Sequence, residues 1–136
     1  MKKYVIGFMF NGDLSRVCLI QKNRPEWQAG KLSGIGGKIE PGETAREAMR
    51  REFQEEAGVF TFEQDWHHTL TLRFPYAEVE VFACCNEGYS WLVRTCTDEE
   101  VLHLAVPSLP GRNCVENVLP IIELCRQRLV DREEVS

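Results

Sequence analysis

Residues 37–59 read GKIEPGETAREAMRREFQEEAGV, and this stretch decides how the rest of the chain is read. Pro41-Gly42 marks a turn, Thr44-Ala45-Arg46-Glu47 has the hydroxyl and the N3 glutamate of a capping box, and Gly58 is a C-terminal stop. Together they predict a helix from Thr44 to Ala57. At 100° per residue, with Ala45 at zero, Ala45, Ala48, Met49 and Phe53 fall between about -60° and +80°, which defines the buried face. Glu52, Glu55 and Glu56 fall at about -20°, -80° and +20°, among the core-facing positions, while Arg46, Glu47, Arg50 and Gln54 take the opposite side. Spaced i, i+3, i+4, these carboxylates are neighbours that repel, and burial raises their pKa unless a positive partner is supplied. Either a cation sits against them, or this end of the helix projects past a sheet edge and the glutamates are solvated; helix geometry alone leaves both open.

Upstream, Tyr4 to Phe10 and Val17 to Gln21 are β-rich runs joined across Asn11-Gly12-Asp13, a strong hairpin signal. Lys22 to Lys31 is polar and reads as a loop. Leu32 to Lys38 carries Gly34, Gly36 and Gly37, too much glycine for a stable strand interior, and reads as backbone that must approach something closely. Downstream, Trp66 to Phe74, Glu78 to Cys84 and Trp91 to Thr95 are expected strands. Thr97 to Glu100 resembles a capped helical turn, and Pro107 to Arg112 reads as a loop. Val115 to Leu129 is an expected helix disturbed early by Pro120, and the polar tail from Asp131 is expected to fray. The order β-β, helix, several β, helix predicts one mixed α/β domain over residues 1–136, with helices packed on a sheet.

The chain has 136 residues, 43% hydrophobic and 27% charged, enough for one filled core. Its net charge of -5 gives no excess positive field to grip a nucleic-acid backbone, which argues against duplex binding as a main role. A polyanionic ligand would need a bridging cation or local basic residues. The six cysteines are scattered through apolar runs without a Cys-x-x-Cys pair, which favours reduced, mostly buried thiols. The apolar run Tyr4 to Phe10 is too short for a signal peptide, and no run reaches the roughly 20 apolar residues that cross a bilayer. The expectation is a cytoplasmic protein without membrane contact, either monomer or homodimer. His67, His68 and His103 show no ligand spacing.

Gly37-x5-Glu43-x7-Arg51-Glu52-Phe53-x-Glu55-Glu56-x-Gly58-Val59 matches every position of the Nudix box, G-x5-E-x7-R-E-U-x-E-E-x-G-U with U apolar. At ordinary residue frequencies such a match arises by chance on the order of once in a million chains of this size, so the chain resembles a Nudix hydrolase. The resemblance implies an α/β/α sandwich with a mixed sheet between helices, Mg²⁺ or Mn²⁺ as cofactor, and hydrolysis of a nucleoside diphosphate linked to another group. Glu52, Glu55 and Glu56 match metal ligands, the Gly36 carbonyl is a further candidate for the shell, and Glu52 is the candidate base. The catalytic set carried over is Arg51, Glu52 and Glu55, with Glu43 and Arg51 matching positions that brace the loop against the helix. A further acid from a downstream loop is common in the family; Glu87 is the first candidate and Asp98 to Glu100 follow.

For the substrate, Trp27 offers a flat face for a nucleobase, Arg24 a fork for phosphate or a base edge, and Lys38 a phosphate contact. The competing reading of Trp27 is a core plug, and Trp66 and Trp91 are expected in the core. Compact size favours a nucleoside triphosphate pyrophosphohydrolase that releases monophosphate and pyrophosphate, oxidised nucleotides included. ADP-ribose, dinucleoside polyphosphates and nucleotide sugars are the alternatives, as is a nucleotide-binding regulator that does not turn over substrate.

Overall fold

The first strand is the hub of the sheet, and its sequence shows why. In β1 (Lys2–Phe10) Ile6, Phe8 and Phe10 alternate with Val5 and Met9, so both faces are apolar and both are covered. The computed structural model describes residues 1–135. β2 (Arg16–Gln21), β3 (Leu32–Ser33), β4 (Ile35–Lys38), β5 (His67–Phe74), β6 (Ala77–Cys85) and β7 (Val101–Ala105) complete a seven-stranded sheet. Its spine is β3-β2-β1-β6-β5, with β4 on β1 and β7 on β2. β1 and β6 run parallel, from Lys2 opposite Ala77 to Phe10 opposite Cys85, and the other pairings are antiparallel.

One face is covered by α1 (Ala45–Ala57), which seats Met49 and Phe53 against Val5, Met9, Ile35, Trp66 and Phe82. The other is covered by α3 (Val118–Val135), which seats Ile122, Cys125 and Leu129 against Phe8, Leu19, Val81 and Leu104. This is the α/β/α sandwich with a mixed sheet. Among the described residues no helix is long and apolar enough to cross a membrane. Cys18, Cys84 and Cys125 are buried thiols and Cys96 is an exposed one.

α1 begins where its caps place it. The Thr44 hydroxyl accepts the Glu47 amide at 3.1 Å, the Glu47 carboxylate accepts the Thr44 amide at 2.8 Å, and Gly58 closes the helix in the left-handed conformation. Several expectations are corrected. Leu32 to Lys38 does form strands, because a Cβ on Gly36 would lie 1.9 Å from the Val5 carbonyl oxygen, and its absence lets β4 lie against β1. Trp91 to Thr95 is not a strand: Asn86 accepts the Tyr89 amide at 2.8 Å and starts α2 (Glu87–Leu92), leaving Trp91 57% exposed rather than in the core. Trp66, by contrast, is buried. Thr97 to Glu100 bends without forming a helical turn, and β7 follows it where no strand was expected. Pro107 to Arg112 lies mostly in a 3-10 helix, Val106–Gly111. α3 starts at Val118 with Pro120 in its first turn, where no intrahelical amide is required, and runs past Asp131 rather than fraying there.

Candidate active site

The acidic end of α1 packs onto the glycines of β4. A Cβ on Gly37 would stand 2.5 Å from Glu52 Oε1, so glycine is what admits the Glu52 carboxylate to this position. Arg51 organises the surroundings. Its Nε and Nη2 grip both oxygens of Glu43 at 2.6 and 3.0 Å, Nη2 also donates to the Lys38 carbonyl at 3.0 Å, and Nη1 donates to Glu52 Oε1 at 2.8 Å and Glu55 Oε2 at 3.3 Å. The bidentate pair ties the loop before α1 to the helix itself. The hydrogen bond from Arg51 holds the Glu43 carboxyl below its ordinary range, and Glu43 in return raises the Arg51 pKa. Arg51 is thereby committed to four acceptor groups and positions the site.

The three glutamates do not share one environment. Glu55 is exposed, at the rim of the helix face where its wheel angle put it. Burial raises the Glu52 pKa, with Arg51 opposing. Burial, followed by the charge of Glu52, pushes Glu56 up to about 7, while Lys22 and the Gly36 amide pull the other way and Glu99 adds to the rise. Glu56 Oε2 is buried with no hydrogen-bond partner. Among the described residues no three His, Cys, Asp or Glu side chains converge as a closed metal cage, because Arg51 stands between Glu52 and Glu55. A divalent cation nevertheless fits the residues present: the donors are hard carboxylate oxygens, and a buried, partnerless oxygen on Glu56 is what such an ion would satisfy.

Of the other candidates, Lys38 is exposed and contributes its carbonyl to Arg51. Glu87 stands elsewhere: its carboxylate takes the Gly12 amide at 2.7 Å and the Trp91 indole at 2.8 Å, which fixes the start of α2 to the β1–β2 turn. The downstream acid that nears Glu56 is Glu99, held by Lys22 at 3.1 Å and by the Asn23 amide at 2.6 Å. Arg24 pairs with Asp98 at 2.5 Å. Trp27 is 66% exposed and does not plug the core. It lines a cavity of about 490 Å³ whose apolar walls include Tyr4, Ile6, Leu72, Phe74 and Val79, with Ser33, Glu116 and Asn117 as polar groups. Lys22 carries no short-range signal that sequence reading could have used; its place in the site comes from Glu99, 77 residues away in the chain.

The NUDIX domain family matches residues 2–113. A structure from work on MutT of Aliivibrio salmonicida and Vibrio cholerae is 21% identical, covers 93% of this chain and 98% of its own, and superposes with a TM-score of 0.77. The dihydroneopterin triphosphate pyrophosphohydrolase of E. coli is 16% identical over 89% of this chain and 92% of its own, with a TM-score of 0.69. The NUDIX domain of Shewanella oneidensis NrtR, crystallised with ADP ribose, is 16% identical over 93% and 87%, with a TM-score of 0.70. No curated protein matches the sequence. At these identities the superpositions show the fold alone, whereas the domain match spans most of the chain and coincides with the acidic helix and its glycine-rich approach: the chain belongs to the Nudix family of hydrolases.

Proposed function

We propose that this chain hydrolyses a nucleoside triphosphate to the monophosphate and pyrophosphate with a divalent cation, Mg²⁺ or Mn²⁺, held by Glu52, Glu55 and Glu56. The observation that carries the reading is the buried, partnerless Glu56 oxygen beside Glu52, on a helix whose neighbouring loop also walls an apolar cavity wide enough for a base. When bound, the cation supplies the positive charge that the diphosphate oxygens and these carboxylates both require. Arg51 holds Glu52 beside Gly37 of β4 and ties the exposed Glu55 to the same guanidinium nitrogen. Glu52, whose pKa is raised by burial, is the group suited to take the proton from the attacking water as its oxygen bonds to phosphorus and the anhydride P–O bond breaks. Trp27 presents a ring at the cavity mouth for the base.

The test is a product-release assay with Mg²⁺ over nucleoside triphosphates, oxidised purines included, ADP-ribose, dinucleoside polyphosphates and nucleotide sugars. Release of pyrophosphate from a triphosphate, lost in Glu55→Gln, is the expected result. Nucleotide binding without turnover on any member would instead make the chain a ligand-binding regulator.

A further inference from the structure

Loop 22–31 is a closed knuckle. The Gly30 amide donates to the Lys22 carbonyl at 2.7 Å and the Lys22 amide to the Lys31 carbonyl at 2.8 Å, so both limbs meet at Lys22. Its tip is the 3-10 turn Glu26–Gln28, and Pro25, Trp27 and Gln28 form one wall of the apolar cavity. Trp27 is too exposed for packing to hold it, so its position is set by the frame of the loop. That frame has one deep anchor. Glu99, with 4% of its side chain exposed, receives Lys22 Nζ on Oε1 at 3.1 Å and the Asn23 and Arg24 amides on Oε2 at 2.6 and 3.4 Å, three consecutive residues at the root of the knuckle. The Asn23 side chain adds a bond to the Asp98 carbonyl at 2.5 Å. A buried carboxylate persists only when such donors offset its lost hydration, so carboxylate and knuckle hold each other in place. The segment carrying Glu99 is itself tied to the end of the acidic helix, through Arg94 and Cys96 amides on the Ala57 and Glu56 carbonyls at 3.0 and 3.3 Å.

We infer that Glu99 is a positioning residue for substrate selection: by clamping Lys22 to Arg24 it sets Trp27 over the cavity and registers that wall against the acidic helix. The inference rests on the reading of the cavity as the seat of the substrate's base. Its alternative role, a ligand in the acidic cluster, predicts a different kinetic signature.

The experiment combines steady-state kinetics on the triphosphate found in the panel with limited trypsin digestion of the whole chain, reading cleavage after Lys31. The variants are Glu99→Ala, Glu99→Gln, Lys22→Met, Trp27→Ala and Glu99→Ala with Trp27→Ala. The clamp predicts, for Glu99→Ala and Lys22→Met alike, KM raised about tenfold with kcat within about threefold, and an unchanged Mg²⁺ half-saturation. It also predicts faster cleavage after Lys31, and a double variant no worse than its poorer parent. Glu99→Gln keeps an acceptor for the Asn23 amide and falls between wild type and Glu99→Ala; it replaces Glu99→Ala in the comparison if the latter does not melt cooperatively. A kcat loss of about a hundredfold with a raised Mg²⁺ requirement in Glu99→Gln but not Lys22→Met, and trypsin resistance unchanged, overturns the inference in favour of the ligand role. If no triphosphate is hydrolysed by the wild type, the proposed activity fails, while the trypsin comparison still decides the clamp.

Discussion

Glu56 titrates near 4.5 when free, but in the folded chain burial and the neighbouring Glu52 push it up to about 7. Between those values the folded protein holds a proton that the unfolded chain has released, so stability falls as pH rises through this window. The loss is complete above about pH 7 and amounts to at most about 3 kcal/mol, since Glu56 is only half-buried. Thermal melts of the metal-free protein from pH 5 to 8 should therefore show a falling Tm, and Glu56→Gln should flatten the slope and raise the Tm at pH 8. A rising Tm over the same range would contradict the burial of this carboxylate. Glu55 is exposed. Glu55→Gln should leave the Tm within about 2 °C while lowering kcat by about a hundredfold or more, because the change removes charge with little change in volume.

The approach of β4 to its two neighbours separates stability from activity at adjacent glycines. Gly36→Ala drives a Cβ into the Val5 backbone, which cannot move without breaking the β1–β4 pairing, and should cost more than about 3 kcal/mol in chemical denaturation. Gly37→Ala first meets the Glu52 carboxylate, the far end of a flexible side chain, so the fold should lose under about 1 kcal/mol while activity falls at least about tenfold as Glu52 is displaced. What sequence could reveal at this scale was whatever local chemistry specifies. α1 was legible in full because Thr44, Glu47 and Gly58 fix its ends through bonds within a few residues. β4 was misread because glycine content argues against strands in general, whereas here the missing Cβ is what the pairing requires. Trp91 to Thr95 has strand composition, but Asn86 started a helix ahead of it. β7 is set by pairing with β2 across the chain, from Arg16 opposite Ala105 to Ile20 opposite Val101, which no local pattern encodes. Likewise the closeness of Glu52, Glu55 and Glu56 to one another follows from spacing on one helix and their proposed role from the box they match, while Lys22 with Glu99 is a contact between distant segments, and Glu87 is bound instead to Gly12 and Trp91.

For the molecule as a whole, ligand binding and thiol exposure give two global readouts. A cation bound at the acidic face at a hundred times its Kd adds about 2.7 kcal/mol, so saturating Mg²⁺ should raise the Tm by about 5 to 10 °C, more at pH 8 than at pH 5, where Glu56 is protonated. Absence of any shift would remove the cation from the proposal. Burial pushes the Cys18 thiol up to about 12 and the Cys125 thiol to about 11, so in the native protein Cys96 should be alkylated first and these two only as the chain unfolds. The parallel pairing of β1 with β6 has a kinetic side as well. The first strand finds its longest partner only between Ala77 and Cys85, so a chain emerging from the ribosome carries an apolar, half-paired strand until well over half its length is made. Loop closure on that scale must precede most of the sheet's reward, which places refolding in the millisecond-to-second range of non-local topologies and makes the exposed β1 edge the segment a chaperone would first shield.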